Sequence, residues 1–201
     1  MKIPKYSFGL GDRFAHQGEA QLSALMKAGE LGLEFTPVWN KSNREHTTVN
    51  SNPADTRREA DAAVKALNWQ GDYFVDADHI NMSNVDWFID NSDFFTIDVA
   101  DYIGKEPDIE DLMKFLSEND TYIGELEIPG LDKPIEISRG RLDEIANKFL
   151  YAIKQASLIL NYITEKKGEG TFVPEVSMDA SRRSRPWRAR SRSRCRATGR
   201  A

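Results

Sequence analysis

The chain has 201 residues, 40% of them hydrophobic, and a formal net charge of −5, which suits a single domain of ordinary size with a buried core. The average hides two unlike pieces: residues 180–201 hold nine of the 27 basic side chains, all Arg, and none of the 32 acidic ones, leaving residues 1–179 strongly acidic. An acidic body argues against nucleic acid or an anionic membrane surface as its partner, and the only cysteine, Cys195, lies in the basic tail, so the body has neither disulfides nor thiolate zinc sites.

The body alternates strand-like and helical stretches. "KYSFGL" (5–10) reads as a strand followed by the loop "GDRFAHQG". Leu22, Leu25 and Met26 then share one helical face over 19–29, with Gly29 as the stop signal. "LEFTPVWN" (33–40) is the second strand, and the polar "KSNREHTTVNSNP" reads as a loop. From 54 to 67, Ala60, Ala63, Val64 and Leu67 keep the i, i+3, i+4, i+7 spacing of a helix. "DYFVDAD" (72–78) is the third strand, and Ser83 is the expected N-cap of a short helix turning Val85, Phe88 and Ile89 inward. "DFFTIDVA" (93–100) is the fourth strand. A helix over 108–118 and a hairpin over 122–137 precede a long helix, 139–167, whose expected inward stripe is Leu142, Ile145, Phe149, Ile153, Ala156, Leu160 and Ile163. "GTFVPEVSM" (170–178) is the fifth strand.

Strands alternating with helices, and apolar along most of their length, indicate an α/β fold with a parallel sheet covered on both faces. Several strands end in polar residues, the pattern of active sites at the C-terminal ends of barrel strands. A doubly wound sheet also gathers groups at one edge. Five strands cannot close an eight-stranded barrel of ~250 residues, so the expectation is a partial TIM-like (β/α) barrel, truncated at about the fifth strand. The body is then 1–179, the N-terminal part of a barrel. The tail, 180–201, reads either as an Arg/Ser arm for nucleic acid or as disordered or out-of-frame sequence in place of the continuation; no fold is expected there.

"FGLGDR", "VDADH", "FFTIDVADYIG" and "EVSMD", in that order, resemble the tagaturonate/fructuronate epimerase family over about residues 5–179. The resemblance implies a TIM-like barrel and a divalent-metal-dependent epimerase that inverts carbon 4 of a ketohexuronate. It also implies metal-ligating histidines beyond "EVSMD", in a region this chain does not carry. On the matching positions, His79 is implied as a metal ligand, Asp78 as proton acceptor and Glu175 as proton donor.

Residue by residue, alternatives stay open. Asp76 and Asp78 share one face of their strand, and His79 points to the other unless the strand ends at Asp78 and His79 swings over its rim. Without the resemblance, Asp78 reads as a helix cap and His79 as a backbone hydrogen-bonding group. Glu175, between Val173 and Val176, is costly in a buried strand unless paired, for instance with Arg13. "GLGDR" lacks the rest of a dinucleotide fingerprint; its glycines read as a turn presenting Asp12 and Arg13, with Arg13 able to clamp a substrate carboxylate. Lys41, Arg44 and His46 are either further anion contacts or a solvated loop. His16 is placed near the mouth of the site, Asp98 and Asp101 are candidates for orienting a ligating histidine or capping a helix, and Asp179 is placed to share the cavity face with Glu175 and Ser177.

No run approaches the ~20 apolar residues of a membrane span, and the first residues lack an apolar signal core, so a soluble cytoplasmic protein is expected. Its expected partner is a small sugar acid, with assembly into a homo-oligomer left open. Against the enzyme reading stands an inactive fragment of such a barrel, or a related metal-dependent isomerase or aldolase.

Overall fold

The computed structural model describes residues 1–178; Asp179, Cys195 and the whole of the 180–201 tail lie outside the described residues. Five parallel strands form one sheet: β1 (Ser7–Gly11), β2 (Thr36–Ser42), β3 (Phe74–Ile80), β4 (Phe94–Asp98) and, after a two-stranded antiparallel pair β5 (Gly124–Leu126) and β6 (Ile135–Ile137), β7 (Val173–Ser177). The strand order is β1-β2-β3-β4-β7, with no reversal. Consecutive strands therefore lie side by side, as in a (β/α) barrel, and the switch point that defines a doubly wound sheet is missing among the described strands.

The helices follow from their sequences with four corrections. Helix α1 (Gly18–Glu30) runs through Gly29; it stops at Gly32, whose φ of 81° supplies the left-handed residue while Leu33 N–H reaches back to the Ala28 carbonyl. The expected loop after β2 contains α2 (Asn43–Val49), nucleated by a capping box in which Ser42 and Glu45 exchange side-chain and backbone bonds. The signal was present as Ser-x-x-Glu, masked by the β-branched Thr47, Thr48 and Val49, which favour helices weakly. Helix α3 (Pro53–Ala66) begins with Pro at its first turn. Helix α4 (Val85–Phe88) is entered from Asn84 rather than Ser83, because Asn84 Oδ1 accepts the Asn81 N–H. Helices α5 (Ile109–Glu118) and α6 (Arg139–Lys167) complete the set.

Right-handed crossovers place the helices on one side of a parallel sheet, and the buried clusters record this. Leu10, Trp39 and Val75 pack with Leu22, Leu25, Ala60 and Ala63 of α1 and α3. Ala77, Ile80, Phe95 and Ile97 pack with Ala152, Ala156, Ile159 and Ile163 of α6. The inward stripe of α6 is thus rotated from the expected one: Ile153 is exposed, and small alanines let the helix approach the sheet. Gly18 lets α1 approach α3; a Cβ there would lie 2.9 Å from Glu59 Oε1, the same oxygen that accepts the Gly18 N–H. On the other face of the sheet Val38, Phe74 and Phe94 form a small apolar layer with Ile3 and Val173. Polar residues follow it toward the C-terminal ends of the strands.

Candidate active site at the C-terminal ends of the strands

Strand β3 brings Asp78 and His79 to the rim through a bulge. Its register with β4 is regular at Asp76↔Phe94 and Ala77↔Phe95, then breaks, and resumes at Ile80↔Ile97. Two residues instead of one separate Ala77 from Ile80, and both of these sit in the helix-side core at 0% exposure. The residues between them, Asp78 and His79, are released to the rim, and His79 takes a φ of 56°. A non-glycine residue in that region costs on the order of 1 kcal/mol and persists only where its surroundings enforce it. Burial of Ile80, about 1.5–3 kcal/mol for a side chain of that size, offsets this. The imidazole swings over the rim as the sequence suggested, by a bulge in a strand that continues to Ile80 rather than by the strand's end. Its Nδ1 lies 2.5 Å from Asp78 Oδ1.

Asp78 and His79 open into a cleft of about 430 Å³ that also takes in Arg44, Glu45, Asn81 and Asp98. Arg44 is in the first turn of α2 and makes no ion pair among the described residues. Glu45 beside it has its carboxyl held below the usual carboxylate range: burial works against this, but the Ser42 backbone N–H and the Arg13 guanidinium outweigh it. Arg13 Nε is 3.1 Å from Glu45 Oε1, with the rest of its side chain exposed next to Arg44. Arg44 thus borders the cleft, and Arg13 shares with it and Glu45 a smaller neighbouring pocket. Glu45 is the partner of Arg13; no bond to Glu175 is formed.

Glu175 lies on β7 opposite Thr96. It is exposed because β7 is the sheet's edge among the described strands, so the cost of burying a carboxylate is not incurred. Asp78 and Glu175 share the face away from the helices, two strand spacings apart, or roughly 10 Å. Beneath them, Asp76 is 6% exposed. Thr96 N–H donates to Asp76 Oδ1 at 3.2 Å, and Thr96 Oγ1 is 3.2 and 3.0 Å from the two carboxyl oxygens. Burial first, then the neighbouring Asp78 and Glu175 carboxyls, push Asp76 well above the usual carboxylate range, against the Thr96 hydrogen bonds. Its alternation with Asp78 was visible in the sequence; its burial was the missing signal.

Lys41, Asp12, His46 and His16 are arranged otherwise. Lys41 faces the helix side, 1% exposed, with its ammonium on the Arg13 carbonyl and, at 2.7 Å, on Ser51 Oγ. It ties the β1 loop to the α2–α3 turn and does not line the cleft. Asp12 accepts the N–H groups of Phe14, His16 and Gln17, which overcome its partial burial and lower its pKa. It organises the loop into α1 and has no oxygen aimed at the cleft. His46 is 1% exposed, against Trp87 and Phe88, with Nδ1 2.9 Å from Ser51 Oγ. Burial, then the Lys41 charge, lower its pKa to about 4, so it is a neutral packing residue. His16 sits in the loop after β1, its backbone N–H on Asp12. Asp98 accepts the Ala100 N–H, which is the capping role.

Among the described residues no three His, Cys, Asp or Glu side chains converge as a cation site, and His79 is the single imidazole lining this cleft. The larger cleft, about 610 Å³ between Tyr6, Phe35 and Trp69, is at the opposite ends of the strands and contains none of these groups. No helix among the described residues is long and apolar enough to cross a membrane.

Comparison with known proteins bears on this arrangement. No curated protein matches the chain. The native crystal structure of the fructuronate-tagaturonate epimerase UxaE from Cohnella laeviribosi superimposes with a TM-score of 0.68 at 18% identity, over 90% of this chain and 38% of that one. Its one-glycerol complex gives 0.65 at 19% identity, over 88% and 39%. The fold is shared, and this chain spans about two fifths of the length of those enzymes. The tagaturonate epimerase (UxaE) family matches across residues 1–186, taking in the bulged β3, the cleft beside it and β7, and the chain belongs to that family.

Proposed function

We propose that this chain carries the N-terminal part of a cytoplasmic barrel enzyme that epimerises carbon 4 of a ketohexuronate, interconverting D-tagaturonate and D-fructuronate. The observation that carries the reading is the bulge at Asp78 and His79, which sets a carboxylate and an imidazole together on the rim of a cleft bordered by Arg44. In a member of this family, a carboxylate–imidazole pair sharing a cleft with a guanidinium suits a substrate that has both a hydroxyl to deprotonate and a carboxylate to hold.

In the proposed chemistry Asp78 is the base and Glu175 the acid. Carbon 4 is not adjacent to the ketone at carbon 2, so its hydrogen is not acidified by enolisation. Asp78 takes the 4-hydroxyl proton, the bond between carbons 3 and 4 breaks, and its electron pair becomes the enediolate of carbons 2 and 3. The aldehyde formed at carbon 4 rotates, the enediolate adds to its other face, and Glu175 returns a proton to the new alkoxide. The two strand spacings between β3 and β7, roughly 10 Å of backbone, leave room for the sugar between the two side chains. Arg44, with Arg13 behind it, holds the carboxylate at the far end of the substrate. A divalent cation, whose chemistry is to stabilise enediolate charge, enters the proposal through His79 alone. The described residues do not make up the rest of its site.

The test is epimerisation of D-fructuronate by the purified chain, followed by proton NMR. Conversion that Asp78→Asn and Glu175→Gln each reduce by about 100-fold or more, the scale of general acid–base contributions, supports the reading. Deuterium incorporated at carbon 4 in heavy water rules out the bond-breaking route and leaves direct removal of the carbon-bound hydrogen. Absence of turnover with intact fold makes the chain an inactive part of such a barrel.

A further inference from the structure

Asp76 has no part in the chemistry above, yet it is the one buried carboxyl among the described residues. We propose that Asp76 is a positioning residue for the Asp78–His79 pair: it grips Thr96 of β4 where the β3–β4 register breaks, and so fixes the bulge that turns both side chains onto the rim. The register runs regularly to Ala77↔Phe95 and resumes at Ile80↔Ile97. The β4 residue caught in the gap is Thr96, and both its N–H and its hydroxyl meet the Asp76 carboxyl. A bulge disrupts the ladder, and a buried N–H left without an acceptor costs about 1–3 kcal/mol. A side-chain acceptor placed two residues before the bulge removes that cost.

The other side of the strand is fixed as well, since Ala77 and Ile80 are locked in the core at 0% exposure. With Asp76 bound on one face and Ile80 on the other, Asp78 and His79 have no regular pleat to return to, and the φ of 56° at His79 is enforced. The charged groups facing Asp76 are Asp78 on its own strand and Glu175 from β7, both acidic. Removing the Asp76 carboxyl therefore removes a tether and no ion pair.

The importance of this role rests on reading Asp78 and His79 as reactive groups, but its test does not use turnover. In the 15N-labelled chain, long-range proton–nitrogen correlations report each imidazole ring, with His79 assigned from His79→Gln. Wild-type His79 is expected to show an Nδ1 engaged by Asp78, in one fixed tautomer. Asp76→Ala is expected to collapse that pattern to the averaged signals of a free imidazole, while the buried His46 keeps its own and certifies the fold. Asp76→Asn is expected to restore the pattern, because its amide oxygen still accepts the Thr96 N–H. If Asp76→Ala does not fold by the His46 criterion, Asp76→Leu, which removes the acceptor of the Thr96 N–H within nearly the same volume, decides in its place. His79 signals unchanged from wild type in Asp76→Ala, or in Asp76→Leu where Asp76→Ala does not fold, overturn the proposal. A chain without epimerase activity that still shows the Asp76 effect separates failure of the function from failure of this inference.

Discussion

His46 makes the stability of the chain fall in mild acid by an amount the structure supplies. The ring is 1% exposed between Trp87 and Phe88, shares a 2.9 Å hydrogen bond between its Nδ1 and Ser51 Oγ, and has a pKa lowered from 6.5 to about 4 by burial and then by the Lys41 charge. The folded state therefore binds this proton more weakly than the unfolded chain. The stability the neutral ring confers is complete above pH 6.5 and is lost as pH falls toward 4. At about 1.4 kcal/mol per pH unit, the drop from 6.5 to about 4 amounts to roughly 3 kcal/mol, a large share of the ~5–15 kcal/mol that holds a typical domain together. The perturbation is His46→Asn, whose side-chain oxygen replaces Nδ1 opposite Ser51 without a titrating ring. The variant is less stable than wild type at pH 7.5, since the lost ring leaves space beside Trp87, but its handicap should shrink by about 2–3 kcal/mol by pH 4.5. Urea melts of both proteins at four pH values measure this. Asp12 and Glu45, whose lowered pKa values also withdraw stability in acid, titrate in both proteins and cancel in the difference. A wild-type minus variant difference that stays flat from pH 7.5 to 4.5 refutes the buried, neutral assignment. Helix α2 then has a different anchor, and Arg44 with it.

Three further outcomes are expected. Phe95→Ala, which empties a fully buried site where the ring meets Phe172 edge-on at 5.5 Å, should cost about 3–5 kcal/mol in the same melts. Asp12→Ala removes the acceptor of three backbone N–H groups ahead of α1 and should cost about 1–2 kcal/mol at pH 7; the loss should fade as the pH drops below the ordinary carboxylate range, because the lowered pKa means wild type itself surrenders this stability there. Arg44→Ala should weaken calorimetric binding of D-fructuronate by roughly 10- to 100-fold, the scale of a charged hydrogen bond, with an unchanged melt, since Arg44 makes no ion pair within the described fold.

The sequence by itself determined the alternation of strands and helices, the positions of the five parallel strands to within a few residues, and the family. Hydrophobic period and turn residues are local properties, and local properties are what a linear pattern records. It also singled out Asp78, His79, Glu175 and Arg44, which the fold brings to one end of one sheet. What only the tertiary structure decided was which polar groups are free to act. Lys41 and Arg44 sit three residues apart in one polar stretch, yet Lys41 continues β2 toward the helices and is consumed by Arg13 and Ser51, while Arg44 begins α2 and borders the cleft. Asp76 and Asp78 sit two residues apart on one face, yet one is buried under Thr96 and the other reaches the rim. Burial is set by what neighbouring strands and helices place around a side chain, and the bulge at His79 exists only because β3 must satisfy β4 and the core together. Neither constraint is contained in the order of residues along β3 alone.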